Sequence, residues 1–120
     1  MKLNICIAGA TGWVGKPLSL AVSAADDLNL VGAVSRTFQG RSLKDALGES
    51  DVDLTVSGSV EEALAAPTNV MVDYTKADAV KANVLTAIRK GVHVVIGSSG
   101  LTDEDFDEIN RAALERQVGV

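Results

Sequence analysis

An α/β fold, a doubly wound parallel sheet, is what the sequence predicts, and three observations predict it. Short apolar runs alternate with amphipathic stretches along the whole chain, as buried parallel strands alternate with their crossover helices. The first run, Leu3 to Ala8, is apolar at every position but Asn4, as a strand covered on both faces is. A glycine-rich turn follows that run directly and opens a helix. Right-handed crossovers make the doubly wound sheet the default arrangement of such units. At 120 residues the chain is read as one domain, 1–120, long enough to bury roughly two-thirds of its unfolded surface.

The elements follow in order. Leu3 to Ala8 is the first strand and Gly9 to Gly15 the glycine turn. Lys16 to Ala25 reads as helix, with Leu18, Val22 and Ala25 at helical spacing and Pro17 tolerated in the first turn. Leu30 to Val34 is a second strand, and Ser35 to Gly48 a polar loop with a helical turn at Leu43 to Leu47. Val52 to Val56 reads as a third strand. Ser59 and Glu62 match a capping box, opening a short helix to Ala65 that Pro67 stops. Val70 to Tyr74 is a fourth strand. Ala77 to Lys90 is the longest helix, with Val80, Val84, Ala87 and Ile88 on one face and Gly91 at its C-cap. Val92 to Ile96 is a fifth strand. Thr102 and Asp105 start the last helix, whose buried stripe is Phe106, Ile109 and Ala113, with acids in the first turn favouring its dipole. Gln117 to Val120 reads as the opening of a sixth strand, so the chain is read as a truncated domain.

Composition narrows the function classes. Hydrophobic residues are 47% and charged residues 22%, which fits neither disorder nor a coiled coil. A net charge of −5 argues against a nucleic-acid partner, and 3% aromatic residues argue against stacking on single strands. No apolar run approaches the roughly 20 residues of a membrane helix, and no small-residue cleavage site follows the N-terminal run. The single cysteine, Cys6, fits a reducing cytosol, and a cytoplasmic protein is expected. With one histidine and one cysteine, no metal-ligand cluster assembles from the usual spacings. His93 and Cys6 both fall within strands and are read as structural.

Gly9-Ala10-Thr11-Gly12-Trp13-Val14-Gly15 supplies G-x-x-G-x-x-G between a strand and a helix. Gly9 permits the tight turn, Gly12 lets the backbone approach a pyrophosphate, and Gly15 lets the helix pack closely on the strand. The helix N-terminus offers free amides to phosphates. The fold is therefore Rossmann-type, and the candidate ligand a dinucleotide. An acid at the end of the second strand would select NAD; the sequence has Ser35-Arg36-Thr37 instead, two hydroxyls and a guanidinium suited to the 2′-phosphate of NADP. Arg41 is a second candidate cation. NADP(H) is expected to be preferred, with NAD(H) still open. Asp73-Tyr74-Thr75 and Gly97-Ser98-Ser99-Gly100 close the fourth and fifth strands, at the sheet end where such ligands sit. Asp73 is read as a cap or local backbone acceptor.

The glycine box, Arg36, Val72-Asp73-Tyr74-Thr75 and Gly91-Val92-His93-Val94-Val95-Ile96-Gly97-Ser98-Ser99-Gly100-Leu101 together resemble the N-terminal domain of dihydrodipicolinate (4-hydroxy-tetrahydrodipicolinate) reductase, in order over the whole chain. The resemblance implies an NADPH- or NADH-dependent oxidoreductase of the diaminopimelate–lysine pathway. It places the pyrophosphate on Gly9 to Val14 and the NADP phosphate on Arg36, with Ser35 where family members often carry an acid. Gly97, Ser98 and Ser99 match a Gly-Thr-Thr at the nicotinamide ribose and ring, and Tyr74 and Thr75 match a Phe-Thr beside the cofactor. Two departures stand out: no proline follows Thr75 closely, and Gly-Ser-Ser-Gly replaces Gly-Thr-Thr-Gly. The family's His-His pair, Lys and Gly-Thr segment are not in this sequence. The resemblance thus implies no catalytic residue in this chain, an inactive fragment, and a homotetrameric parent built by a C-terminal domain. A stand-alone NADP(H)-sensing module, a reductase of another substrate and a non-binding interaction domain remain as alternatives.

Overall fold

Along the chain run β1 (Leu3–Ala8), α1 (Gly15–Ala24), β2 (Leu28–Val34), α2 (Leu43–Leu47), α3 (Val60–Ala63), β3 (Val70–Asp73), α4 (Val80–Arg89), β4 (His93–Ile96) and α5 (Asp103–Arg116). The computed structural model describes residues 2–48 and 53–120. Among these, the strands form a parallel sheet in the order β2-β1-β3-β4. The chain leaves β1 for β2 on one side, then crosses to β3 on the other, so the order reverses between β1 and β3. Their carboxyl ends, at Ala8 and Asp73, are paired in register. This is the switch point at which doubly wound sheets hold ligands.

The sheet is covered on both faces because β1 is apolar on both. Ile5 and Ile7 face a core shared with Val22, Leu43, Leu47 and Val56. Cys6 and Ala8, one residue out of phase, face a second core with Met71, Val80, Val84, Ala87, Ile88 and Ile109. The period-2 alternation of a strand thus feeds two separate helix layers. The expected stripe of α4 is fully buried. Lys81 of α4 pairs with Asp105 (3.1 Å) and Glu108 (2.7 Å) of α5 across the outer helix layer.

Several sequence expectations need correction. The third strand, placed at Val52 to Val56, is not a strand in residues 53–56, and Val52 lies outside the described residues. Isolated bridges stand there instead: Thr55 with Ser42, and Ser57 with Val34. The segment extends the sheet edge beside β2 through Ser35 N–H to Ser57 O (3.0 Å) and Ser57 N–H to Ala33 O (2.8 Å), but Arg41, Gly40 and Leu43 take its other backbone bonds. Gln117 to Val120 form no sixth strand: Gln117 turns left-handed at φ 56, and only Gly119 reaches β4, accepting from Val94 N–H and donating to His93 Nδ1. Phe106 is 52% exposed, so the buried side of α5 is Ile109 and Ala113 without it. Ser59 accepts from Glu62 N–H as expected, yet the Glu62 carboxylate accepts from Gly58 N–H, one residue before the cap. At α5 the capping box is complete, with Thr102 and Asp105 bonded reciprocally.

Candidate functional site

The turn from β1 to α1 is made of backbone, and each of its glycines has its own reason. Gly9 sits at φ +84, and an added Cβ would collide with the Tyr74 carbonyl oxygen at the end of β3. At Gly15 an added Cβ would collide with the Gly9 carbonyl, so α1 can start only where a glycine lets it close on the turn. Gly12 is different. Its added Cβ would meet no atom of the chain nearer than the Gly9 carbonyl oxygen, at 3.5 Å, an ordinary contact. The fold demands glycine at 9 and 15 and leaves 12 free.

The turn is pinned by Gly9 and Ala10 N–H to Val34 O (2.9 and 3.1 Å), by Gly12 N–H to Gly9 O (3.2 Å) and, beneath it, by Ser19 Oγ to Ala10 O. Among the described residues, nothing accepts from the amides of Trp13 and Val14 at the mouth of α1. The first turn of α1 carries no acid and its N-cap no side-chain bond. An unpaired, uncapped helix N-terminus of this kind suits an anion.

A cavity of about 450 Å³ opens over the carboxyl ends of β2, β1 and β3. Gly9, Thr11, Gly12, Ser35, Arg36, Tyr74 and Thr75 line it, so these expected site residues meet at one place. Thr37, part of the expected phosphate set, lines it as well. Thr11 Oγ1 and Ser35 Oγ lie 2.9 Å apart and join the glycine turn to the end of β2. Arg36 stands at the rim, its Nη1 3.9 Å from Asp78 Oδ2, with both side chains about 70% exposed. The other expected residues lie elsewhere. Ala10 and Gly15 are buried beneath the turn, Trp13 is fully exposed and Val14 half-exposed, and none of them lines the cavity. Arg41 does not serve the rim: its guanidinium lies over the Phe38 ring, 5.3 Å from the centroid.

Gly97, Ser98 and Ser99 lie beyond the cavity lining, at the end of β4. An added Cβ on Gly97 would strike the Tyr74 ring, so the hydroxyl-bearing end of the ring lies against this glycine. Tyr74 thereby spans the switch point, its backbone against Gly9 and its ring against Gly97. The Ser98 hydroxyl, expected toward the cofactor, instead donates to Asp73 Oδ1 at 2.6 Å.

Sequence reasoning missed Lys76, Ala79 and Asn83, which line the cavity from the loop after β3 and the start of α4. Ala79 and Asn83 are four apart, beside the buried Val80–Val84 stripe; that spacing was the available signal. Asp73 was read as a local cap and is more. It is fully buried and gathers donors from three segments: Thr75 N–H (3.0 Å), Thr75 Oγ1 (2.7 Å), Ser98 Oγ (2.6 Å) and Asn83 Nδ2 (3.1 Å). Cys6 lies beneath it, also fully buried. Burial first, and the Asp73 charge second, push its thiol up to about 12, which leaves it protonated and unreactive. His93 serves as an acceptor for Gly119 N–H. Among the described residues, no group of three or more His, Cys, Asp or Glu is placed to hold a metal ion, and no helix is long and apolar enough to cross a membrane.

Comparison with known proteins agrees with this geometry. Residues 3–120 match the family model described as dihydrodipicolinate reductase, N-terminus. The 4-hydroxy-tetrahydrodipicolinate reductase of Syntrophomonas wolfei is 33% identical over 120 residues, covering 99% of this chain and 45% of that protein. The reductase of the same name from Thermosynechococcus vestitus is 34% identical over 122 residues, covering 98% and 44%. Among solved structures, a dipicolinate-bound dihydrodipicolinate reductase from Paenisporosarcina sp. TG-14 superposes with a TM-score of 0.81 at 21% identity, over 98% of this chain and 45% of that one. The chain thus spans less than half the length of the curated relatives it matches.

Proposed function

The chain belongs to the dihydrodipicolinate reductase family, whose N-terminus it matches, and on that premise we propose that it is the NADP(H)-binding domain of an oxidoreductase that reduces 4-hydroxy-tetrahydrodipicolinate to tetrahydrodipicolinate in lysine biosynthesis. NAD(H) is the weaker ligand in this reading. The observation that carries it is Gly12. Nothing in the fold forbids a side chain there, yet a glycine stands at the cavity edge beside unpaired amides. A pyrophosphate lying on the backbone supplies the missing reason.

The remaining residues divide along the sheet. Gly9 to Val14 hold the pyrophosphate over β1. Ser35, Arg36 and Thr37 receive the adenosine ribose and its 2′-phosphate over β2, where the residue that follows the strand is Ser35 and not an acid. Tyr74, Thr75 and Gly97 to Ser99 face the nicotinamide end over β3 and β4. When bound, the cofactor supplies a hydride; the residues of this chain bind and orient it. No catalytic residue is assigned here. A substrate domain and a homotetramer belong to the other half of the relatives' length in this reading, the 120-residue chain alone turns nothing over, and the protein works in the cytoplasm.

The test is Gly12→Val followed by calorimetric titration with NADPH. Unchanged thermal unfolding with binding lost supports the reading. Unchanged binding, or a fold that fails with the substitution, removes the reason given for Gly12.

A further inference from the structure

We propose that Asp73 is a positioning residue for the nicotinamide end of the site, a buried anionic tie that sets the loops after β3 and β4 in one geometry. The proposal rests on the cofactor reading above and deepens it.

Asp73 ends β3 at the switch point, paired in register with Ala8 on one side and Ile96 on the other. It is completely buried, and among the described residues no cation pairs with it. A carboxylate in that position is costly unless N–H and O–H donors replace its water. Here they do, and their origin is informative. A purely local cap would need only the Thr75 amide two residues on, the ordinary Asx turn. Asp73 also takes the Thr75 hydroxyl, the Ser98 hydroxyl from the neighbouring strand's loop and the Asn83 amide from α4. Asn83 further donates to Thr75 Oγ1 at 3.5 Å, and Ser98 Oγ reaches the Asp73 carbonyl at 3.1 Å. The loops after β3 and β4 are thereby held to one point.

The arrangement also fixes polarity. The protons of Thr75 and Ser98 are committed inward, so each hydroxyl presents only lone pairs to its remaining surroundings. The adenosine half of the site shares none of these bonds: Thr11 and Ser35 bond to each other, and Arg36 faces Asp78. Loss of the tie should therefore loosen one half of the site and spare the other.

The experiment is calorimetric titration of the 120-residue chain and its variants with NADPH and with 2′,5′-ADP, which carries only the adenosine half. Asp73→Ala is expected to weaken NADPH by roughly tenfold or more, because buried donors lose a charged acceptor. Its 2′,5′-ADP affinity should stay within about twofold, which also certifies the fold. Ser98→Ala, a smaller disturbance, should weaken NADPH by about threefold, add nothing in the Asp73→Ala background, and be rescued by Ser98→Thr. Equal losses for both ligands would make Asp73 a structural residue of the whole domain and overturn the proposal, as would unchanged NADPH binding in Ser98→Ala. If the wild-type chain binds 2′,5′-ADP but gains nothing from the nicotinamide half, the tie has no ligand to position. If it binds neither, the cofactor reading itself fails, and this proposal with it.

Discussion

The two halves of the proposed site are built by different means. Over β1 the chain uses backbone: a turn closed by glycines at 9 and 15, carbonyls of Val34 and Gly9 as acceptors, and, among the described residues, amides left free at Trp13 and Val14, with the Thr11–Ser35 side-chain bond joining the turn to the end of β2. Over β3 and β4 it uses side chains: a buried carboxylate with hydroxyl and amide donors drawn from two loops and a helix. A backbone-built half tolerates little change in residue type but needs few partners. A side-chain-built half tolerates conservative change, Ser for Thr among them, and depends on one acceptor. Rigidity comes from sterics in the first and from hydrogen bonding in the second.

Substitutions at the turn, at the rim and outside both halves sharpen or break that comparison. The largest effect belongs to the backbone half. Gly9→Val would place a branched side chain at φ +84 and its Cβ against the Tyr74 carbonyl, and the expected destabilisation is about 3 kcal/mol or more in denaturant unfolding. A Gly12→Ala chain should unfold within about 0.5 kcal/mol of wild type, since its Cβ meets only an ordinary contact. A similar cost at both positions would erase the distinction between fold-demanded and ligand-demanded glycines.

Next is Arg36→Ala, which should weaken NADPH by about 1.5–3 kcal/mol through loss of a charge-assisted bond and leave NADH nearly unchanged. Equal losses would mean that Arg36 does not meet the 2′-phosphate.

A control outside both halves follows. Thr102→Ala removes a capping box and should cost about 1 kcal/mol of stability without changing cofactor affinity. The Thr102 backbone amide, and then Lys81, hold the Asp105 carboxyl below its ordinary value of 3.8. A lowered folded-state value means that this contribution is complete above 3.8 and fades as pH falls through the folded value. The protection of the first-turn amides of α5, taken relative to their intrinsic exchange rates at each pH, should therefore fall in acid, and Asp105→Asn should flatten that dependence. The smallest effect belongs to Asp78→Asn. It frees Arg36 from an exposed pair and should tighten NADPH by no more than about 0.5 kcal/mol, with NADH unchanged.

What could be read from sequence divides along the same line. The glycine turn was legible because its residue types follow from local sterics. The α4 stripe was legible because a 3.6-residue period survives any tertiary arrangement. The place of Arg36 at the cavity was legible from its position after a strand. The Asp73 tie was not, because Ser98 and Asn83 lie 25 and 10 residues away and only the strand order brings them together. Phe106 misled because it keeps the helical spacing of Ile109 and Ala113 and yet stands out from the core. The segment before Ser57 misled because its apolar residues suggest a strand, whereas the loop from Gly40 to Leu43 folds back and takes its backbone bonds. Arg41 was expected at a phosphate and stacks on Phe38 instead, a pairing visible only in three dimensions.

The most direct measurement is a side-by-side calorimetric titration of the 120-residue chain with NADPH and NADH. The expected result is binding of both with NADPH the tighter, through the Gly12 backbone and Arg36 together. Equal affinity would contradict the phosphate role of Arg36, and binding of neither would contradict the reading of this cavity as a dinucleotide site.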